Sequence, residues 1–305
     1  MFDIKEKADL VNNILKEYLP KGSEKEGSIE DAMYYSVMSG GKRLRGIMLI
    51  EAFRLFNNDR EMEKMLSYPF AAAMEFIHAY SLVHDDLPSM DNDMYRRGVL
   101  TTHAKYGHAM GVLTGDALLN YAFETMTDAA VRLSAVRGEI ASELLVRAAR
   151  ATAVISSCAG YSGMIGGQVM DVCEENSSCD LEYLYKIYEL KTSRLFQAAL
   201  EAGAILGGAD DKQTKSMKDF GYYVGEAFQI KDDILDTTAT FEQLGKDINS
   251  DEKNDKKTVA SLLGIEEAQK LVNEYLDKAL ELLINLPGNK SFFADLVKYL
   301  RVREA

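Results

Sequence analysis

The stretch Ser81–Arg97, which reads SLVHDDLPSMDNDMYRR, places four carboxylates within nine residues and ends in two arginines. The preceding run, 70–83, is almost uncharged, so it predicts a buried helix whose Asp85-Asp86 end lies at the wall of a cavity. Buried negative charge is costly unless a cation neutralises it. Mg²⁺ suits this position because it binds one or two carboxylates together with substrate phosphates. The stretch therefore predicts a magnesium site at the end of a buried helix.

The third carboxylate of this first acidic cluster is Asp91, which a proline separates from Asp85 and Asp86. On an ideal helix Asp91 would be rotated well away from the other two. A proline disfavours helical geometry in the residue before it. We therefore expect the helix to end near Pro88 and the chain to curl back, which returns Asp91 to the cluster.

A second acidic cluster occurs in 228–236, which reads FQIKDDILD. On a helix, Asp232, Asp233 and Asp236 fall within an arc of about 100°, so their carboxylates can meet one metal centre or two. A solvated helix face is the alternative interpretation, but the apolar neighbours weaken it. Two such clusters in one helical chain are a much more specific sign of a metal site than either alone.

The composition favours helices and limits the partners. The 305 residues include only four prolines and are 47% apolar and 27% charged, which allows a sizeable core. There is no sustained strand-like alternation, no repeat of fixed period and no low-complexity linker, so we predict one all-α domain over 1–305. A net charge of −13 argues against nucleic-acid binding through a broad basic face.

The sequence also bears on location. The N-terminal residues lack the apolar segment of a signal peptide, and no uncharged apolar run reaches the ~18–20 residues of a bilayer span. Cys158, Cys173 and Cys179 form no CxxC pair, which indicates reduced thiols. We therefore expect a cytoplasmic protein without a membrane span.

Basic residues are concentrated in a few segments. The segment 40–45, GGKRLR, places three cations where a helix begins and backbone amides favour anions, although alone it would suggest a basic surface turn. Arg96–Arg97 could clamp a phosphate or merely neutralise the neighbouring aspartates. Lys246 and Lys257 follow the second cluster and, taken alone, would be solvated lysines. His78 lies inside the apolar helix, where a core histidine is the default interpretation.

Taken together, these segments resemble the trans-isoprenyl diphosphate synthase family, in particular its bacterial short-chain farnesyl diphosphate branch. The resemblance covers nearly the full chain, and its motifs are highly specific in combination. They are GGKRLR at 40–45, the helix and acidic cluster at 75–93, Arg96–Gly98, Thr101–His103, Gly115-Asp116, Gly166–Gln168 with Asp171, Lys191-Thr192, FQIKDDILD at 228–236, Gly245-Lys246 with Asp251, and Lys257-Thr258.

The resemblance implies a single polyprenyl synthetase domain with the type I isoprenoid synthase fold, a bundle of about ten or more helices around a deep central cavity. It implies a homodimeric prenyltransferase that condenses isopentenyl diphosphate head-to-tail with dimethylallyl or geranyl diphosphate. The allylic diphosphate ionises, the double bond of isopentenyl diphosphate attacks the carbocation, and a proton is eliminated. The physical requirements agree, because diphosphate leaves only when its charge is neutralised and the carbocation survives only where water is excluded.

The same resemblance implies roles for individual residues. Three Mg²⁺ ions would be bound by the aspartates of the two clusters, which are Asp85, Asp86, Asp91, Asp232, Asp233 and Asp236. The allylic diphosphate would be bound by Arg96, Lys191, Lys246 and Lys257. Isopentenyl diphosphate would be bound by Lys42, Arg45, His78 and Arg97. The residues that stabilise the carbocation as dipoles would be Lys191 through its carbonyl, Thr192 and Gln229.

Product length is predicted from the residues just before Asp85. Tyr80 lies about 7.5 Å down the helix at ~1.5 Å per residue, so its ring would form a floor under the growing chain. The neighbouring Ser81 is assigned to the same role. A bulky floor implies a short product, farnesyl diphosphate with its C15 chain, and geranylgeranyl or geranyl diphosphate are the alternatives.

Two more distant functions stay open. A class I terpene cyclase shares the acidic motif but has no need of Lys42, Arg45 and His78, because it binds no second diphosphate. A non-catalytic regulatory subunit would be free to lose an acidic cluster, whereas both are complete here.

The sequence departs from the family pattern at three positions. Gly46 and Leu100 each replace a proline, and Lys231 replaces a neutral residue. None of these changes removes a predicted ligand, so we expect them to affect affinity rather than abolish activity.

Overall fold

The structure is a computed structural model that describes residues 4–21, 25–135, 138, 140–173, 180–238 and 257–303. These residues are helical apart from connections and one short hairpin, which confirms the predicted all-α class. They fall into two compact units. We call Asp3–Ile50 with Asp59–Thr152 the N-terminal unit, and Glu51–Asn58 with Ala153–Ala305 the C-terminal unit. One domain over 1–305 stays a prediction.

The N-terminal unit is built around helix α5, Tyr68–Asp85, which packs mainly along α7. Every residue from Pro69 to Ile77 is buried, because the sequence there is apolar on all sides of the helix apart from Glu75. The other elements that contribute to this unit are α1 (Ile4–Tyr18), α2 (Ile29–Met38), the first part of α3 (Leu44–Phe56), α4 (Arg60–Met62), the π-helix π1 (Glu63–Ser67), α6 (Thr102–Tyr106), α7 (His108–Ser134) and the first part of α8 (Ile140–Ala159).

The C-terminal unit is built around helix α12, Asp211–Thr238. Its other elements include α9 (Met164–Val172), α10 (Leu181–Ile187), the π-helix π2 (Tyr188–Ser193), α11 (Arg194–Gly207), α13 (Val259–Leu263), α14 (Ile265–Leu283) and α15 (Ser291–Val302). Helix α12 packs against α14, α11 and π2. A Cβ on Gly225 would lie only 2.6 Å from the Cα of Ser193, so the absence of a side chain lets α12 cross π2 closely.

A two-stranded antiparallel hairpin follows α5. Strand β1, Tyr95–Arg96, pairs with β2, Val99–Leu100. The two turn residues, Arg97 and Gly98, both have positive φ, as a type I′ turn requires. This dipeptide therefore forms a hairpin turn, and strands of two residues are too short to show alternation in sequence.

Within the residues that the structure describes, none of the helices combines the length and the apolar character needed to cross a membrane.

Candidate active site

The end of α5 gathers the first acidic cluster. The helix ends at Asp85, and the amide of Asp91 donates to the Asp85 carbonyl at 2.9 Å, so the chain curls back as predicted. Asp86 is buried and accepts from Arg96 Nε at 2.6 Å. Burial raises the pKa of Asp86, and the Arg96 guanidinium opposes this increase. Asp85 is half-buried and Asp91 is exposed, so these two carboxylates are the more accessible members of the cluster.

The hairpin gives its two arginines different partners. Arg96 pairs with Asp86 and lies 3.5 Å from the carboxylate of Asp93, so in this state it neutralises aspartates. Arg97 instead donates from Nη1 to the Gly40 carbonyl. A Cβ on Gly41 would lie 2.7 Å from the same nitrogen, and Gly41 has φ +125°. Arg97 therefore lies against the backbone of the glycine pair that opens the basic segment.

His78 is surrounded by positive charge. Burial, followed by the charges of nearby arginines, lowers the pKa of His78 well below 6.5, so its imidazole is neutral at pH 7. Those arginines are Arg45, Arg97, Arg96 and Arg43. A cavity beside them is lined by residues that include Ser39, Glu75, His78, Asp86, Arg96 and Arg97. A neutral imidazole among guanidinium groups can bind an anion such as diphosphate. Lys42 is exposed.

Arg43, which sequence reasoning did not select, is the buried member of the basic segment. Its Nε donates to Asn12 at 2.9 Å, and its Nη1 lies 3.7 Å from Glu75. The amide of Gly46 donates to the same Glu75 at 2.9 Å, a bond that proline could not make. The departure at Gly46 therefore adds a hydrogen bond where α3 begins. The sequence does not distinguish Lys42, Arg43 and Arg45, because only the packing of the folded chain determines which of them is buried.

Tyr80 lies on α5 and is only 5% exposed. Burial, with the charge of Asp85, raises the pKa of Tyr80 to about 12. Its hydroxyl makes no hydrogen bond with the described part of the chain, and its ring meets His84 edge to face at 5.8 Å between centroids. Ser81 donates to the His78 carbonyl at 2.9 Å. Tyr80 therefore presents a buried aromatic ring one turn below the acidic cluster.

The last turn of α5 is fixed against α7 through His84. Its Nε2 lies 3.1 Å from the Val112 carbonyl and 3.8 Å from the Asp116 carboxylate. A Cβ on Gly115 would lie 2.0 Å from Nε2, so the imidazole fills the space that a side chain would take. The Gly115-Asp116 pair thus holds the turn that carries Asp85.

In the C-terminal unit, three side chains on one face of α12 bond three residues of π2. Tyr188 donates to Asp233 at 2.6 Å, Thr192 to Gln229 at 2.7 Å, and Ser193 to Glu226 at 2.7 Å. We call these three hydrogen bonds the α12 ladder. Gln229 in turn donates to Asp233 at 3.2 Å, and Tyr188 accepts from the Val259 amide at 3.2 Å. The ladder brings together Thr192 and Gln229, two predicted catalytic residues.

Lys191 lies between the rungs of the ladder. Its Nζ donates to Asp171 of α9 at 2.6 Å, and a Cβ on Gly167 would lie 2.3 Å from the Lys191 amide nitrogen. Helix α9 therefore approaches π2 closely at Gly167. A cavity of about 110 Å³ is lined by Asp171, Leu184, Ile187, Tyr188, Lys191, Thr192, Gln229, Asp233, Lys257 and Thr258. Lys246 lies outside the described residues.

The three carboxylates of the second cluster have different surroundings. Asp232 pairs with Arg303 at 2.7 Å, and the Arg303 guanidinium lies 4.7 Å from the centroid of the Phe228 ring. Asp233 and Asp236 are buried. One carboxylate oxygen of Asp233 accepts a hydrogen bond from Tyr188, and the other accepts one from Gln229. Lys231, the charged departure, is buried and donates to Gln269 at 2.9 Å.

The donor set fits Mg²⁺ in kind, because both clusters offer only carboxylate oxygens. Among the described residues, however, no three His, Cys, Asp or Glu side chains lie close enough to hold a metal ion on their own. A cation that takes one or two carboxylates and completes its shell with phosphate oxygens and water is consistent with this arrangement.

Several site residues were missed as individual residues in the sequence analysis. They are Arg43, Glu75, Tyr188, Ser193, Glu226 and Arg303. Tyr188 and Glu226 can be identified only when π2 is recognised, because π geometry changes which residues face α12.

Leu100, which departs from the family pattern, lies in the hairpin. Its carbonyl accepts a hydrogen bond from the Tyr35 hydroxyl at 2.8 Å.

Known structures share this arrangement of helices. The geranyltransferase of Helicobacter pylori, solved with magnesium and isoprenyl diphosphate, superposes with a TM-score of 0.79 at 31% identity, covering 97% of this chain and 94% of that one. The architecture is therefore that of the helical isoprenyl synthases.

A model of the polyprenyl synthetase family matches residues 26–284. The farnesyl diphosphate synthase of Geobacillus stearothermophilus is 36% identical over 99% of this chain and 97% of its own length. The geranylgeranyl diphosphate synthase of Cyanophora paradoxa is 38% identical over 90% of this chain and 87% of its own. The chain belongs to the polyprenyl synthetase family.

Proposed function

We propose that the protein is a magnesium-dependent prenyltransferase that condenses isopentenyl diphosphate with dimethylallyl and geranyl diphosphate to give farnesyl diphosphate. The observation that carries the proposal is the cavity of the C-terminal unit, where Lys191, Thr192, Gln229 and Lys257 line one space beside Asp233. Cations for a diphosphate and neutral dipoles for a carbocation are thus side by side. Family membership and the farnesyl diphosphate synthase relative support the same activity.

The residues of this cavity have two roles, binding of the allylic diphosphate and stabilisation of the carbocation. Lys191 and Lys257 bind the allylic diphosphate and, with Lys246 and Arg96, take up the charge that develops as it departs. Thr192 donates its hydrogen to Gln229, so its oxygen lone pairs are available to the allylic carbocation. The Lys191 carbonyl and Gln229 add further dipoles. The proton lost after condensation goes to the departing diphosphate.

The N-terminal unit carries the residues that bind the second substrate, isopentenyl diphosphate. Lys42, Arg45, His78 and Arg97 bind isopentenyl diphosphate, and the neutral imidazole of His78 donates one hydrogen bond to it. The arginine charges around His78 attract the diphosphate, and the imidazole fixes its orientation. Because this group holds a second diphosphate, it distinguishes a condensing enzyme from a class I cyclase.

Mg²⁺ would be held by Asp85, Asp86, Asp91, Asp232, Asp233 and Asp236, with three ions in the full site. When bound, the ions neutralise the allylic diphosphate and make it a competent leaving group. Asp86, now paired with Arg96, and Asp232, now paired with Arg303, would have to exchange these partners to hold a metal ion. We also propose a homodimer and a cytoplasmic location, which rest on family precedent and on the sequence.

The decisive experiment incubates the purified protein with labelled isopentenyl diphosphate, dimethylallyl diphosphate and Mg²⁺, and measures the chain length of the products. Consumption of isopentenyl diphosphate with a C15 product supports the proposal. Cyclised products from an allylic diphosphate alone would indicate a terpene cyclase, and zero turnover a non-catalytic subunit. A C20 or C10 product would favour geranylgeranyl or geranyl diphosphate synthesis, the former being the activity named for the Cyanophora relative.

Product length is tested at Tyr80. We expect Tyr80→Ala to give products longer than C15, because removal of the ring opens space below the acidic cluster. Tyr80→Phe is the control, since it keeps the ring and removes only a hydroxyl that bonds no described residue. Chain lengths are measured by chromatography of the dephosphorylated products. An unchanged C15 product from Tyr80→Ala would reject Tyr80 as the floor.

A further inference from the structure

The rung of the α12 ladder that joins Glu226 to Ser193 has no part in the chemistry proposed above. We propose that Glu226 is a positioning residue that acts through Ser193 to hold Lys191 and Thr192 in place, and that its ionisation makes catalysis depend on pH. This inference rests on the proposed function of the same site.

The first argument is burial. Glu226 is 0% exposed, its Oε1 accepts from Ser193 Oγ at 2.7 Å, and its Oε2 has no hydrogen-bond partner in the described part of the chain. An ionised carboxylate in this setting costs stability that a leucine of similar size would not. A residue that weakens the core beside a site is a candidate for a role in that site.

The second argument is position. Ser193 is the last residue of π2 and directly follows Lys191 and Thr192. Residues 226, 229 and 233 recur at spacings that share one face of α12, so the rung at Glu226 and the rung at Gln229 constrain adjacent residues of π2. π-helical geometry is rare and needs tertiary support. Loss of the Glu226 rung would release the end of π2 nearest to Thr192.

The third argument is charge. Burial raises the pKa of Glu226 to about 7, with Ser193 opposing the increase and Glu189 adding to it. Glu189, of π2, is itself paired with Arg194 at 2.8 Å and Lys186 at 2.9 Å. The other titratable groups that sense Glu226 are Tyr185 of α10, Tyr222 of α12 and Tyr275 of α14. The ionised carboxylate makes a charge-assisted bond to Ser193, which is stronger than the bond of the neutral acid.

The test compares the pH dependence of kcat and of both KM values. For the wild type we expect a decline of kcat below about pH 7 as Glu226 takes up its proton. Glu226→Gln keeps an acceptor for Ser193 but does not titrate, so it should remove that decline. Glu226→Leu and Ser193→Ala break the rung and should lower kcat about tenfold. The KM for isopentenyl diphosphate should stay unchanged, because other residues bind that substrate.

The matched control is Thr214→Val, a buried polar position of α12 far from the ladder. It should leave the kinetics and the pH profile as they are. A Glu226→Gln profile that still declines below neutral pH would overturn the inference, as would unaltered kinetics in Ser193→Ala. Either result would leave the proposed prenyltransferase standing.

A binding measurement keeps the inference testable without turnover. Calorimetry with inorganic diphosphate and Mg²⁺ should show several-fold weaker binding for Ser193→Ala than for the wild type or Thr214→Val. Equal binding would contradict a role in positioning Lys191. An inactive wild type that still shows the weaker binding in Ser193→Ala would overturn the proposed function and retain the positioning role.

Discussion

At the scale of single residues, glycines leave the space that neighbouring functional groups occupy. Gly41 leaves room for the guanidinium of Arg97, Gly115 for the imidazole of His84, and Gly167 for the backbone at Lys191. In each case an added Cβ would come within 2.7 Å of the neighbouring group. These glycines position functional side chains that belong to other elements.

The glycine at 41 gives the first prediction. Gly41→Ala places a methyl group on the Arg97 guanidinium and strains a backbone with φ +125°. We expect the KM for isopentenyl diphosphate to rise about tenfold, while the KM for the allylic substrate stays within about twofold. Steady-state kinetics with each substrate varied in turn provide the measurement.

The control for this change is Gly27→Ala, where φ is also positive, at +77°, but nothing lies within 4 Å of the added Cβ. It should cost only the backbone strain, about 1 kcal/mol of stability. If both substitutions raised the KM for isopentenyl diphosphate equally, Arg97 would not be the cause.

The buried glutamate gives a prediction about stability. The pKa of Glu226 is raised to about 7 in the folded state, so the folded protein binds this proton more tightly than the unfolded chain does. Stability is therefore lost as pH rises from about 4.5 towards 7. Glu226→Gln should be more stable than the wild type at pH 8, by up to about 3 kcal/mol, and about equal near pH 4.

Urea unfolding of both proteins at the two pH values provides the measurement. A difference in stability that does not vary with pH would show that Glu226 keeps its ordinary pKa in the fold.

At the scale of elements, the sequence predicted those features that periodicity and proline encode. The burial and the end of α5 follow from its uncharged run and from Pro88, and the return of Asp91 follows from the same proline. The three aspartates of α12 were also found, because they lie on one helix at a regular spacing.

The same reasoning missed π2 and the roles that depend on it. A sequence read at 3.6 residues per turn does not show where a helix widens, because the extra residue is stabilised by contacts with α12 and α9 rather than by local preference. For that reason Thr192 and Gln229 were named from family resemblance, whereas Tyr188 and Glu226 were not named at all. Arg303 lies far along the chain from Asp232 and carries no local signal.

The packing of α9 on π2 is tested by Gly167→Ala. The added Cβ would lie 2.3 Å from the Lys191 amide nitrogen, so α9 or π2 must move. We expect kcat to fall about 100-fold, because displacements of about 1 Å at a positioned group have effects of this size. Val169→Ala, an exposed change on the same helix, is the control and should remain active. Equal activity of the two variants would contradict the contact.

At the scale of the whole molecule, the charges are distributed unevenly. The net charge is −13, yet His78 has arginines around it and Lys191 and Lys257 line the other cavity. An acidic protein that binds anions depends on such local basic groups and on metal ions, since its overall field repels the substrate. The acidic clusters offer carboxylates, but the described ones do not assemble a complete metal site.

Mg²⁺ bound by one or two carboxylates completes its shell with phosphate oxygens, which predicts cooperative binding of metal and diphosphate. We expect Mg²⁺ or inorganic diphosphate alone to raise the Tm by about 1 °C or less, and the two together to raise it several-fold more. The reason is that each supplies ligands or charge that the other requires. Thermal unfolding in each condition, at matched ionic strength, is the measurement. A full shift with Mg²⁺ alone would mean that the protein completes the metal site by itself.

The π-helix of the C-terminal unit constrains how this chain can vary in length. A π turn uses one residue more than an α turn, so deletion of a single residue within 188–193 would restore α geometry and rotate everything beyond it by about 100°. The rungs on the two sides of the deletion could then no longer all keep their partners on α12. An insertion or deletion in this segment should therefore be more damaging than a single substitution.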